Sequence, residues 1–144
     1  MRIGRVLAVG LLGVGSWMAL PAAHAAETSL HGDMTGPEET NPPGPKDGKG
    51  TADIKLDDAK NQVCYQLKYT GISHPTLAHI HSGAKGVGGP VAVDFNYPQH
   101  GDQGCVPADA TVLGKIRDNP GGFYVNIHTA DYPNGAIRGQ LAKV

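Results

Sequence analysis

Gln62-Val63-Cys64-Tyr65-Gln66-Leu67-Lys68-Tyr69 is the stretch that decides the fold class. Val63, Tyr65, Leu67 and Tyr69 alternate with Cys64, Gln66 and Lys68, the two-residue period of a strand with one buried face. Just upstream, Thr51 to Leu56 puts Ala52, Ile54 and Leu56 on one face. Asp57-Asp58-Ala59-Lys60-Asn61 supplies the turn between the two runs, so together they read as a β-hairpin.

Working outward in both directions adds more short strands. Glu27 to Met34 alternates weakly and reads as an edge strand, separated from the hairpin by a Pro- and Gly-rich loop from Thr35 to Gly50. After a turn at Thr70 to Pro75 come two strand candidates, Leu77 to Ser82 and Pro90 to Phe95, joined by a glycine run. That run lacks the Gly-Lys-Ser/Thr ending of a phosphate loop, and no helix pattern follows it. Asn96 to Cys105 reads as polar loop, and Pro107 to Asn119 as the one short helix, with Val112, Leu113 and Ile116 as its apolar stripe. Phe123 to His128 and Ala136 to Leu141 close the chain as strands around the turn Asp131-Tyr132-Pro133-Asn134-Gly135. The expectation is an all-β antiparallel sandwich of seven to eight strands with one short helix.

Composition sets the compartment and excludes some partners. Arg2 and Arg5 precede an apolar run from Val6 to about Leu20, and Pro21-Ala22-Ala23-His24-Ala25 offers the small-x-small pattern of a signal-peptidase site. Residues 1–25 are therefore expected to be a signal peptide and 26–144 the exported domain, periplasmic or secreted, with no membrane span in the mature chain. Of 12 Lys/Arg and 13 Asp/Glu, the mature chain keeps ten and thirteen, because Arg2 and Arg5 leave with the signal. A net charge of −3 with no basic run excludes nucleic acid as the expected partner. Cys64 and Cys105, an even count in an oxidising compartment, read as a disulfide. Cys64 lies on the polar side of its strand, so the bridge is expected to tie a loop over the outer sheet face.

Three histidines carry the chemical question. In Leu77-Ala78-His79-Ile80-His81-Ser82-Gly83 the i, i+2 spacing places His79 and His81 on one strand face while Ile80 points the other way. In Phe123 to His128, Phe123, Val125 and Ile127 take the core side, leaving Tyr124, Asn126 and His128 outward. His79, His81 and His128 thus share a polarity, and adjacent strands would set them on one patch fit for copper or, second, zinc. His100 and Asp131 are candidates for a fourth ligand. The competing reading makes the three histidines braces that bond backbone carbonyls and hold loops. His31 and His74 read as solvated or locally bonded, and His24 leaves with the signal. No Gly-x-Ser-x-Gly elbow, His-Glu-x-x-His helix or paired-acid motif is present, so redox chemistry at a bound copper is the one enzymatic alternative.

The chain resembles the CHRD (chordin) domain family, which occurs in exported bacterial proteins. The resemblance runs from Met34-Thr35-Gly36-Pro37-Glu38-Glu39 through Gly50-Thr51-Ala52, Ala78-His79-Ile80-His81-Ser82-Gly83 and Gly89-Pro90-Val91. It ends with Tyr124-Val125-Asn126-Ile127-His128-Thr129 and Gly135-Ala136-Ile137-Arg138-Gly139-Gln140-Leu141. It implies an immunoglobulin-like β-sandwich and carries no defined activity with it. A fainter likeness to copper-zinc superoxide dismutase would match His79, His81 and His128 to copper ligands and Arg138 to the arginine beside them. There is no clear bridging histidine, since His100 is badly spaced, and no zinc loop. Three functions stay open: a non-catalytic exported protein with a copper-type site, a superoxide-dismutase-like redox enzyme, and a metal-free cell-envelope interaction module whose contact surface is the Pro-rich loop.

Overall fold

A computed structural model describes residues 27–40 and 42–144; the signal peptide expected at 1–25 lies outside the described residues. Nine strands form one antiparallel sheet that folds over on itself. They are β1 (Thr28–Thr35), β2 (Lys49–Asp57), β3 (Gln62–Thr70), β4 (Pro75–Ser82), β5 (Val91–Asp94), β6 (Gln103–Pro107), β7 (Phe123–Thr129), β8 (Ile137–Gln140) and β9 (Ala142–Lys143). The order is β5-β4-β7-β8-β1-β2-β3-β6, with β9 beside β1. The fold class expected from the alternation is the one found, an all-β sandwich bent into a nearly closed barrel.

The bend sits between β8 and β1, which share only the pair Thr35↔Arg138. There Gly139 lies so close to the Asp33 carbonyl that a Cβ would collide with it. One half, β1-β2-β3-β6, then faces the other, β8-β7-β4-β5, across a single core of Leu30, Met34, Ile54, Leu56, Leu67, Ile80, Val125, Ile127 and their neighbours. At the open side Tyr65 of β3 stacks on Phe95, just beyond β5, with ring centroids 4.1 Å apart. Its hydroxyl donates to the carbonyls of Phe95 and Gly101, both at 3.2 Å. This joins the two ends of the sheet where no ladder does.

The β2–β3 hairpin forms in the expected register, Ala52↔Leu67 and Ile54↔Tyr65. Its turn is fixed by Asp57, which accepts from Lys60 N, and by Asn61 in the left-handed region. Four expectations need correction. β1 is not an edge strand: it pairs with β2, β8 and β9, and Leu30, Gly32 and Met34 face the core. The stretch 96–105 is not mere loop, since it holds a short helix, α1 (Tyr97–His100), and β6. The main helix, α2 (Ala110–Asp118), starts later than Pro107, because Asp109 accepts from Thr111 N and Val112 N and so caps it. Cys105 belongs to β6 and pairs directly with Cys64, so the disulfide staples two neighbouring strands and ties down no loop.

Because that bridge closes a long chain segment (sequence separation 41), its removal acts mainly on the unfolded state. A Cys64→Ser/Cys105→Ser variant is expected to lose about 4 kcal/mol of stability in urea unfolding. It should still show the strand content of the parent, because the core does not use the sulfurs.

Candidate metal centre

β7 is buried along its whole length, on both faces. Phe123, Val125 and Ile127 enter the core as their alternation requires. Tyr124, Asn126 and His128 face away from it, yet two loops cover them. The first, residues 36–48, folds back through Gly36 N to Gly48 O, Gly44 N to Gly36 O and Gly48 N to Pro45 O, and brings Glu39 down onto the sheet. The second, residues 83–90, is held by Arg138 donating to Ala84 O at 2.8 Å and Gln140 donating to Gly83 O at 2.9 Å. Gly36, Glu39 and Gly48 are the buried anchors of this Pro-rich loop, while Pro37, Pro42 and Pro43 stay exposed.

Under these loops lie the three histidines. The register sets His79 opposite Asn126 and Asn126 opposite Arg138, with His81 opposite Tyr124 in the next row. His79 and His128 are 8% exposed and His81 is half-buried. Each can offer one nitrogen such that all three lie within 4.8 Å of one another. His100 and Asp131 do not join them. His100 packs against Gly104 at the end of α1, and Asp131 accepts from Ser73 Oγ. Asp94, across from His79 on β5, is the nearby carboxylate instead, its Oδ1 3.8 Å from His79 Nε2. His31 is locally bonded, to Asp53 and Asp33.

Hydrogen bonds assign the tautomers. His81 Nδ1 is 2.8 Å from Gly89 O and His128 Nδ1 is 3.0 Å from Pro133 O. A carbonyl only accepts, so both Nδ1 atoms carry the proton and both Nε2 atoms are left with lone pairs. Gly89 is required there, because a Cβ would strike the Ser82 carbonyl. His128 Nε2 sits 3.1 Å from His79 Nδ1, while His81 Nε2 is buried with no partner at all. Nitrogens sharing one ion at about 2 Å stand roughly 3.3 to 4 Å apart. The His79–His128 pair, at 3.1 Å, is slightly closer than that spacing, and the outer limit of 4.8 Å needs a movement below about 1 Å.

The surroundings are polar and mostly closed. The Arg138 guanidinium, 2% exposed, lies 3.4 Å over the Tyr124 ring, and His81 stacks on that ring nearly parallel. Burial, and then the proximity of His128, pushes the His79 pKa down to about 4; burial also lowers that of His128. Burial raises the Glu39 carboxyl to about 7 despite the opposing charge of Arg138 and a bond from Asn126. Glu39 and Asp94 were not signalled by sequence reasoning as parts of the site; backbone carbonyls were, in the bracing reading, though not which ones. Arg138 was, as the arginine beside the ligands, and so were Tyr124 and Asn126, on the His128 face.

The CHRD domain pattern matches residues 30–141, a span that contains both histidine strands and most of the chain. The chain belongs to the CHRD domain family. No curated protein and no solved structure matches it. Within this CHRD domain, His79, His81 and His128 are the one group of metal-ligating side chains close enough to share an ion among the described residues.

The pKa directions give an acid-side prediction for the metal-free protein. Below about pH 6.5, and down to about 4 at position 79, the unfolded chain binds protons at positions 79 and 128 that the folded chain refuses, so stability falls as pH falls. Glu39 acts oppositely: between about 7 and 4.5 the folded chain keeps a proton the unfolded chain has lost. Glu39→Gln is therefore expected to steepen the acid loss, by about 3 kcal/mol at pH 4.5 relative to wild type. Urea midpoints at pH 7.5, 6 and 4.5 test this; parallel curves for the two proteins would show that Glu39 titrates normally.

Proposed function

We propose that the chain is an exported, non-catalytic CHRD-domain protein that binds one transition-metal ion, copper before zinc, through His79, His81 and His128. The observation that carries this reading is His81 Nε2: buried, unprotonated and without a partner, while the same ring's Nδ1 is committed to Gly89 O. A purely bracing histidine needs only the bond it makes through Nδ1 and has no reason to bury its other nitrogen unpaired. An unpaired buried acceptor costs about 1 to 3 kcal/mol. A ligand nitrogen held by a carbonyl on its far side is instead the usual build of a metal site. Imidazole suits both ions, and the affinity order favours copper. Export rests on the basic, apolar and small-residue succession of residues 1–25.

Isothermal titration of the mature domain with Cu(II) and Zn(II) tests the reading. One ion per chain is expected, with copper tighter, and His79→Ala/His81→Ala is expected to weaken binding by more than about a hundredfold. Titrations identical for wild type and variant would remove these histidines as ligands. Superoxide dismutation by the copper-loaded protein above the rate of free copper would move it to the redox-enzyme alternative, in which Arg138 flanks the site.

A specific observation supports the interaction-module reading beside the metal one. Four large apolar side chains are exposed among the described residues, and three of them, Leu77, Val87 and Val91, border the histidines. Leu77 pairs with His128 and Val91 with His81, while Val87 sits in the loop that holds His81. If this collar serves a partner without metal, pull-down from the cell envelope should survive His79→Ala and fail with Leu77→Asp.

A further inference from the structure

We propose that metal binding shifts a proton across the His79 ring, from Nδ1 to Nε2, and that Asp94 is the positioning residue that holds it there. The inference rests on the metal-site reading and concerns how the chain itself changes state. It begins with His128, whose Nδ1–H donates to Pro133 O. A neutral imidazole has one N–H, so His128 Nε2 can only accept, and the 3.1 Å contact requires the proton to be on His79 Nδ1. His79 Nε2 is then a bare lone pair. It faces the Asp94 carboxylate at 3.8 Å, a spacing beyond hydrogen-bond range and consistent with two acceptors that have nothing to share.

This arrangement holds the metal-free cluster together but blocks it as a ligand set. His81 and His128 already present lone pairs on Nε2. His79 does not, because its inward nitrogen is protonated. For three lone pairs to converge, the Nδ1–H bond of His79 must break. Its Nε2 lone pair takes up a proton from water in exchange, so the ring stays neutral and no proton is released overall. The new Nε2–H then has an acceptor waiting in Asp94 Oδ1, and a charge-assisted bond of about 2.7 to 2.9 Å replaces the long contact. Asp94 is prepared for this role: its Oδ1 is anchored by Asn96 N at 2.8 Å, and the β4–β5 register places it opposite His79. A carboxylate on the far nitrogen also raises the basicity of the ligating one.

The test is nitrogen-15 NMR of the imidazoles, without metal and with Zn(II), together with zinc titration of Asp94→Asn and Asp94→Glu. In metal-free protein His79 is expected to carry its proton on Nδ1, and in zinc-loaded protein on Nε2, while His81 and His128 keep Nδ1–H in both. Asp94→Asn is expected to weaken zinc binding about tenfold with no change in the thermal midpoint of the metal-free protein. Asp94→Glu, which keeps the charge, should recover part of the loss. If His81 and His128 respond to zinc while His79 keeps Nδ1–H, the proton shift is wrong and the metal site stands. If none of the three responds, both fail. Wild-type affinity in Asp94→Asn, or an equal loss in Asp94→Glu, would overturn the role of Asp94.

Discussion

The two hydrogen bonds that His81 and His128 send from Nδ1 to the carbonyls of Gly89 and Pro133 order the outer face of this protein. They fix each ring's tautomer and direction, and they attach the 83–90 loop and the turn between β7 and β8 to the sheet at the same time. Remove either carbonyl and the ring is free to turn, its Nε2 no longer aimed at the cluster. The loops depend on the rings in return. Gly89 also donates from its own N–H to the Tyr124 hydroxyl, so one residue of the 83–90 loop is gripped by neighbouring side chains of β4 and β7. Histidine tautomer and loop position are therefore one variable.

Burying a polar sheet face is costly unless its groups find partners. Gln140 shows how the cost is met, its Nε2 shared among the carbonyls of Gly83, Gly121 and Phe123. Arg138 gives Nη2 to Ala84 O and to Gln140, and its flat face covers Tyr124. These bonds gather backbone from several loops onto β7 and β8. The result is a sandwich with an apolar core on one side of β7 and a compact polar layer on the other. The disulfide lies apart from this layer, on β3 and β6, while the histidines stand on β4 and β7. The disulfide staple and the candidate site thus lie on different halves of the sheet.

The division between what sequence reasoning reached and what it missed follows the range of the forces involved. The two-residue period of 62–69 and the facing of His79, His81 and His128 are local properties of a pleated strand, and they read through correctly. Coverage is not local. Nothing in Thr35 to Gly50 indicates that its loop returns to bury Glu39 over β8, because that depends on hydrogen bonds to residues on other strands. β1 misread as an edge for a similar reason: its alternation, Leu30-x-Gly32-x-Met34, breaks at a glycine where a Cβ would stand only 3.1 Å from the Gln140 carbonyl of the covering strand. Cys105 was placed in a loop because Gly104 and the polar residues around it mask a strand whose register only its partner β3 defines.

Three buried polar atoms have no partner, and they are not equivalent. Glu39 Oε1 and Asn126 Oδ1 belong to side chains that touch, and Glu39 keeps its proton up to about pH 7. A protonated Glu39 has a hydroxyl to give, and Asn126, with its carboxamide turned over where needed, has an oxygen to receive it. One proton can satisfy both. His81 Nε2 has no such remedy. The Gly89 carbonyl holds the ring's proton on the far nitrogen, and among its ring neighbours His128 presents the cluster with an acceptor, not a donor. What completes this atom comes from outside the chain; in the proposed metal reading an electron-pair acceptor does so, drawing on His128 directly and on His79 once its proton has moved to Nε2.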